Sequence, residues 1–493
     1  MTLPAGIPRD QAEVAAFLEQ LAGAAPIQTH ISAIFVGRNT AWKMKKAVAL
    51  GFLDFSTLAA RAHFCRRELE LNQPAAPAIY RDVVPITRAP DGSLQEGGEG
   101  EVLEWVLRMA PIPASDFLDA VAARGGLTPA LLDALGDAVF ALHQAAPEVE
   151  VPDAPGAMEA VLSGNLRAAR AAGLPEARIG PLAARFEAAL AGAAPILAAR
   201  AAEGRIRRCH GDLHLGNFCL WQGKPTPFDA LEFDEALARI DTGYDLAFLL
   251  MDLDRQAGRA AANRVLNRYL ARSGDYGVLG LLPLWLALRA LVRAHVEAAR
   301  GRDGVPLLGA AAEYLAPPLP RLIAVGGLQG TGKSTLARGL APSLGAAPGA
   351  LLLRSDELRK RRFGLAPEAP LPPEAYTEAI STAIHEELFM NAEAALCQGH
   401  AVALDAMFLD AGHRQKAAAI AARLGVAFQG FWLEAPMEIL KSRIRARRGD
   451  ASDATIAVLE RAAQSEPGAI DWQRLDAAGD ALGAARQALG VMG

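Results

Sequence analysis

Residues Gly327-Leu-Gln-Gly-Thr-Gly-Lys-Ser334 carry the strongest chemical signal in the chain, a match to the phosphate-binding pattern G-x-x-x-x-G-K-[ST]. Gly327, Gly330 and Gly332 let the backbone fold tightly, so that successive N–H groups and the start of the next helix face an anion. Lys333 would reach the β- and γ-phosphates, the Ser334 hydroxyl would ligate Mg2+, and Thr331 and Thr335 would add nucleotide contacts. The flanks suit this role, because Arg321–Gly326 reads as an apolar strand and residues 335–344 as a helix.

Further chemistry follows along the chain. Leu351–Arg354 reads as a second strand, with Asp356 and Arg359 opening the helix after it. A third strand ends in Asp405, which suits Mg2+ or its waters, and Arg414 follows on a helix. After a fourth strand, Phe428–Leu433, comes an Arg-rich stretch with Arg443, Arg447 and Arg448, suited to clamping phosphoryl charge. Two plainer readings stay open: a helix N-cap for Ser355 or Asp356, and a solvated helix face for the arginines.

A second constellation lies upstream, Cys209-His210-Gly-Asp212-Leu-His214-Leu-Gly-Asn217, with Phe228-Asp229 and Tyr244-Asp245 after it. An aspartate, an amide five residues later and a carboxylate 17 residues after the first suit metal-assisted phosphoryl transfer. The alternative of zinc on Cys209, His210, His214 and Cys219 does not offer the usual pair of ligand pairs, since no C-x2-C accompanies the two histidines.

These loops need elements to position them. Ile31–Val36 and Ala41–Lys46 read as strands around a Gly37-Arg-Asn-Thr40 turn, with Lys43 and Lys45 on one face. Ser56 can cap a helix whose apolar stripe is Leu58, Ala62, Cys65 and Leu69, which puts Glu68 at the border of the stripe. Lys43–Glu68 is the expected ion pair, with Lys45 as the alternate lysine. Boundaries are expected near 108–115 and 300–320, giving a strand-rich lobe at 1–108, a helical lobe at 109–315 and a third unit at 318–493.

The last of these units resembles the small P-loop kinases, such as gluconate kinase, zeta-toxin and the kinase domain of polynucleotide kinase. That resemblance makes Asp356 a general-base candidate and Arg359, with Arg414, acceptor-binding candidates. The His210–Asn217 loop is similar to the catalytic loop of aminoglycoside phosphotransferase-like and choline-kinase-like enzymes. It implies that Asp212 is the catalytic base, Asn217 and Asp229 are metal ligands and Asp245 braces the loop. The runs WKMKKAVALGFLDFSTLAAR, FCRRELELN and APAIYRDVVPIT resemble the bacterial group that fuses such a domain to a P-loop kinase-like domain. The expected fold is therefore mixed α/β and α+β: a bilobal protein-kinase-like domain at 1–315, then a P-loop domain at 318–493 with a mostly parallel sheet. One departure is that the first hairpin has no G-x-G-x-x-G loop, only Gly37.

Composition limits the function classes. With 493 residues, 52% hydrophobic and 21% charged, the chain can bury several cores. Fifty Lys+Arg against 55 Asp+Glu leave a net charge of −5, which gives a nucleic-acid partner no support. Four cysteines suggest a reducing cytoplasm. Val278–Leu291, the most apolar stretch on this reading, is too short to span a bilayer. The leading expectation is a bifunctional phosphotransferase using ATP and Mg2+ on hydroxyls of a small-molecule acceptor. The alternatives are a nucleotide- or metabolite-sensing first domain that regulates one P-loop kinase, and an ATP-switched interaction protein. Glu232, Asp234 and Asp241 are either groups that attract a cationic acceptor or ordinary surface and supporting residues.

Overall fold

Side chains on successive strand residues point to opposite faces, and the segment Ala41–Lys45 uses both. In the computed structural model, which describes residues 6–50, 53–446 and 451–491, the first eight strands are β1 (Ile27–Gln28), β2 (Ser32–Val36), β3 (Ala41–Lys45), β4 (Ala49–Leu50), β5 (Leu53–Asp54), β6 (Tyr80–Arg88), β7 (Leu94–Glu96) and β8 (Glu101–Met109). Six of them form an antiparallel sheet in the order β1-β2-β3-β8-β6-β7, while β4 and β5 form a separate pair. Trp42 and Met44 pack with Val14, Leu18, Phe35 and Val106, beneath the helix Ala12–Ala22. Lys43 and Lys45, on the other face, meet the helix Leu58–Asn72.

That helix is capped by Thr57, whose Oγ1 accepts the Ala60 N–H, rather than by the expected Ser56. Its buried face runs through Arg61, Ala62, Cys65, Glu68 and Asn72. Glu68 therefore sits inside the buried stripe rather than at its border, because it has lysine partners there.

Four short strands follow: β9 (Ile206–Arg208), β10 (Phe218–Trp221), β11 (Lys224–Pro227) and β12 (Arg239–Asp241). They form two antiparallel pairs, β10 with β11 and β12 with β9, and hold the residue 209–217 loop between them in sequence.

The remaining strands are β13 (Arg321–Gly327), β14 (Leu351–Arg354), β15 (Val402–Asp405), β16 (Ala427–Glu434) and β17 (Gln473–Asp476). They form a fully parallel sheet in the order β14-β15-β13-β16-β17. Ile323, Val325, Leu352, Ala403 and Phe431 are buried in its core with Leu336 and Leu340 of the helix Lys333–Leu340. The register sets Arg354 beside Asp405 and Asp405 beside Val325, so polar chemistry collects at the carboxyl ends of the strands, where open parallel sheets bind ligands.

By packing, the described chain forms two units. One comprises residues 1–126, 142–150 and 204–245; the other comprises 127–141, 151–203 and 246–493. The helices from residue 246 onward thus belong to the same unit as the parallel sheet. Among the described residues one helix, Glu176–Ala202, is long and apolar enough to cross a membrane, which the sequence reading overlooked in favour of Val278–Leu291. Pro181 and Pro195 lie within it, and Ile179, Leu182, Phe186, Leu190 and Leu197 are buried.

Candidate active site

The structure brings the upstream candidates together around Glu68. Lys43 Nζ lies 2.7 Å from Glu68 Oε1 and 2.5 Å from Asp229 Oδ1. Lys45 Nζ lies 2.8 Å from Glu68 Oε2, so the expected pair is present and the alternate lysine joins it. Burial alone would raise the Glu68 carboxyl, but Lys43 and Lys45 outweigh it and hold it at about 2. Burial would lower the Lys43 ammonium, but Asp229 and Glu68 reverse that and keep it charged.

Asp229 has φ +63°, a left-handed conformation unusual for a residue with a Cβ, costing about 1–2 kcal/mol. Its N–H donates to Tyr80 Oη at 2.9 Å, and the next N–H, of Ala230, donates to Asn72 Oδ1 at 2.8 Å. These bonds turn its carboxylate toward Lys43.

The loop at 209–217 is held from behind. Asp245, fully buried, accepts the His210 and Gly211 N–H groups at 3.1 and 2.9 Å. His210 Nε2 donates to Phe228 O at 2.9 Å, and burial lowers its pKa, so it is a neutral spacer. Asn217 Nδ2 donates to Asp212 Oδ2 at 3.1 Å, which makes the amide oxygen its metal-type donor. The Asp212 and Asp229 side chains are 43% and 41% exposed, which leaves both carboxylates accessible to a ligand.

The zinc alternative finds no support in this geometry. His210 is bonded to Phe228, His214 Nδ1 accepts the Gly216 N–H, and Cys209 Sγ faces Ile240 O. The acidic candidates each have a local partner. Glu232 pairs with Lys45 at 2.5 Å, Asp234 caps the helix Glu235–Ala238, and Asp241 accepts the Gly243 N–H.

In the parallel-sheet segment, Gly330, Thr331, Gly332, Lys333, Ser334 and Thr335 line a cavity of about 860 Å3. Asp356, Arg359, Asp405 and Arg443 line the same cavity. Gly330 has φ +84°, and a Cβ there would fall 2.8 Å from Leu440 O. Gly327 lies at the foot of the loop, where a Cβ would meet Leu433 O at 2.5 Å. Lys333 Nζ donates to Leu328 O at 2.9 Å, curling over the loop.

Ser334 Oγ donates to Asp405 Oδ2 at 2.5 Å. A hydroxyl and a carboxylate this close are hard oxygen donors that fit magnesium. Arg354, which the sequence reading did not single out, ties them together. Its Nε lies 3.1 Å from Asp405 Oδ2, its Nη2 2.9 Å from Ser334 Oγ and its Nη1 2.7 Å from Glu357 Oε1. The signal was its place at the end of a strand beside Asp405, visible only once the strands are paired.

Burial raises the Asp356 carboxyl, against the pull of Arg354. Arg359 Nη1 donates to Ala375 O at 2.5 Å, and its guanidinium lies 5.1 Å from the Tyr376 ring centroid. No side-chain cap bond is found at the start of the helix Ser355–Arg362, so the N-cap alternative for Ser355 and Asp356 does not describe it. Arg443 Nη2 donates to Ala477 O at 2.7 Å, and its Nη1 reaches the Gly330 and Thr331 carbonyls at 3.4 and 3.5 Å. Arg447 and Arg448 lie outside the described residues.

One expectation is corrected. Arg414 is only 2% exposed and is not in the cavity lining. Its guanidinium donates to Phe408, Leu409, Pro467 and Ala469 carbonyls at 2.6–3.0 Å, so it fastens backbone rather than meeting an acceptor.

Comparison with known proteins finds two family matches along the chain. The Phosphotransferase enzyme family matches residues 52–282, and an AAA domain family matches 322–466. The uncharacterized protein Rv2004c of Mycobacterium tuberculosis is 32% identical over 476 residues, covering 92% of each chain, and Mb2027c of Mycobacterium bovis gives the same values. Among solved structures, a choline/ethanolamine kinase family protein of Mesorhizobium loti covers 62% of this chain and 94% of its own (14% identity, TM-score 0.36). A gluconokinase of Sinorhizobium meliloti covers 35% and 91% (21% identity, TM-score 0.24).

Proposed function

Because the chain belongs to the family of these mycobacterial proteins, joining a phosphotransferase segment to a P-loop kinase-like segment, and is a phosphotransferase, we propose that it is bifunctional, with two ATP-dependent sites acting on hydroxyls of small molecules. One observation carries the reading. Each segment gathers its own phosphate-directed lysine, base candidate and metal-type oxygens: Lys43, Asp212, Asn217 and Asp229 in one, Lys333, Asp356, Ser334 and Asp405 in the other.

At the first site the acceptor hydroxyl passes its proton to Asp212 while its oxygen attacks the γ-phosphorus. The bond from that phosphorus to the bridging oxygen breaks, and ADP leaves with the electron pair. Lys43 neutralises phosphate charge, and Glu68 holds it in reach. At the second site Asp356 takes the acceptor proton, Arg359 orients the acceptor, and Lys333 and Arg443 face the phosphates. Magnesium, when bound, neutralises charge on the transferring phosphate; Asn217 and Asp229 would hold it at one site, Ser334 and Asp405 at the other. The near-neutral charge favours a small acceptor over nucleic acid, and the four free cysteines suit a reducing cytoplasm.

The test is to make Asp212→Ala and Lys333→Ala separately in the full chain and to assay ATP turnover over sugars, aminoglycosides and nucleosides. Each change is expected to remove a different acceptor-dependent activity. If neither alters turnover of any accepted compound, the reading fails. A second reading is favoured by the contact of Lys43 with Asp229 and by the single glycine of the first turn: the first segment senses nucleotide without transferring phosphate. Under it, Lys333→Ala protein binds ATP yet phosphorylates nothing.

A further inference from the structure

The helix Arg259–Ser273 lies within the stretch matched by the phosphotransferase family, yet its side chains finish the edge of the parallel sheet. β14 is an edge strand of that sheet, and an edge strand presents unpaired N–H and C=O groups. Asn267 Oδ1 accepts the Leu352 N–H at 2.7 Å, and Asn267 Nδ2 donates to Ala350 O at 3.1 Å. Asn263, itself 4% exposed, donates Nδ2 to the same carbonyl at 3.1 Å. Two asparagines thus give β14 the donor and acceptor that a neighbouring strand would supply.

β14 runs without interruption into the helix Ser355–Arg362, which carries Asp356 and Arg359 into the cavity. This helix is gripped a second time. Arg361 Nη1 donates to Tyr276 Oη at 2.7 Å and lies 5.2 Å from that ring's centroid, while its Nη2 donates to Glu387 at 2.7 Å. Nearby, Arg268 binds both Asp137 and Glu368, at 2.6 and 2.5 Å. These bonds end on β14 and its surroundings, not on the loop Gly327–Ser334.

We propose that the phosphotransferase segment positions the acceptor side of the P-loop site: Asn263, Asn267 and Tyr276 fix β14 and the helix after it, and so set where Asp356 and Arg359 meet the acceptor. The inference rests on the reading of Asp356 and Arg359 given under Proposed function. A two-point amide contact fixes the strand along its axis, and a shift of about 1 Å at a reacting group is enough to slow catalysis up to about 100-fold. The two segments share a chain, on this view, because one completes the other's acceptor site. A change in the helix Arg259–Ser273 is then felt first along β14 and at Asp356 and Arg359 after it, and reaches Ser334 and Asp405 only through Arg354 at the strand's end.

The experiment uses the full-length protein in an Asp212→Ala background, with Mg·ATP and water as the acceptor. Asn267→Leu and Tyr276→Phe are compared with Asn267→Asp, which keeps the oxygen that accepts the Leu352 N–H. Asn267→Leu and Tyr276→Phe are expected to lower kcat of Lys333-dependent hydrolysis about 3- to 30-fold at an unchanged KM for ATP. Deuterium uptake should quicken at residues 351–362 but not at 327–340, and Asn267→Asp, which keeps the acceptor for Leu352 but loses the donor to Ala350 O, should recover at most part of both losses. Unchanged kcat, unchanged uptake at 351–362, or a uniform rise in uptake across the whole P-loop segment overturns the proposal. If Lys333→Ala hydrolyses ATP as fast as its parent, the catalytic reading of the P-loop fails instead, and the deuterium uptake alone then decides whether β14 and its helix are held from Asn267 and Tyr276.

Discussion

Lys45 Nζ lies 2.5 Å from Glu232 Oε1, one strand position pair beyond the contact of Lys43 with Asp229. The two lysines are spaced by two on the strand and the two acids by three on the loop, with Glu68 bonded to both lysines. The result is a ladder in which the outer rung carries the register. On the proposed roles of Lys43 toward phosphate and Asp229 toward a cation, Lys45 and Glu232 would still tie the strand to the loop.

The outer rung is buried, with the Lys45 and Glu232 side chains 1% and 5% exposed, so removing one partner leaves unpaired charge. Lys45→Met is expected to destabilise the fold by about 3–5 kcal/mol, because both Glu68 and Glu232 lose a counterion. The double change with Glu232→Gln should recover part of the loss. Urea unfolding followed by tryptophan fluorescence checks this; a double variant no more stable than Lys45→Met would refute the pairing as the cause.

Glu68 also sets an acid limit. Its folded pKa of about 2 lies below the ordinary 4.5, so its ion pairs stabilise the fold fully above about pH 4.5. That stabilisation is lost as pH falls from 4.5 toward 2. The amount is on the order of 3 kcal/mol, from about 1.4 kcal/mol per pKa unit. Urea midpoints of the parent and Glu68→Gln proteins, measured from pH 6 downward, should converge across this interval. Parallel curves would show that Glu68 is not the group titrating.

Arg414 separates a structural from a catalytic role. Arg414→Met leaves four carbonyls without their donor, and a loss of at least about 2 kcal/mol follows from unpaired buried acceptors. The affinity for a non-hydrolysable ATP analogue should stay as in the parent, since Arg414 does not line the cavity. Thermal unfolding and calorimetric titration read the two effects separately. A weakened nucleotide affinity with unchanged stability would return Arg414 to the site.

Much of this was legible in the sequence because local pattern dictated it. Lys43, Lys45 and Glu68 follow from strand alternation and helix periodicity, and the phosphate loop from its glycines and Lys333. What escaped depends on pairing between distant segments. Arg354 looked like the last residue of an apolar strand, and only the parallel register sets it against Asp405 and Ser334. Arg414 had the charge of a substrate ligand, and nothing local told of the Pro467 and Ala469 carbonyls folding back onto it. Asn267 carries no motif at all, and its role appears only where β14 lacks a neighbour on that side.

Arg354 is the sharpest case for a measurement. Its guanidinium spreads three donors over Asp405, Ser334 and Glu357, which a lysine ammonium cannot reproduce in one plane. Arg354→Lys keeps the positive charge, so Asp405 is not left uncompensated, but the orientation of the hydroxyl and carboxylate is lost. Residues that orient metal ligands typically change metal affinity or activity about 10- to 100-fold when altered. The Mg2+ concentration that half-saturates Lys333-dependent ATP turnover should therefore rise within that range in Arg354→Lys, while the Mg2+ dependence of any Asp212-dependent activity stays as in the parent. The two activities are told apart by making the change in Asp212→Ala and Lys333→Ala backgrounds. Equal Mg2+ requirements with and without the substitution would mean that Ser334 and Asp405 are oriented by something other than Arg354.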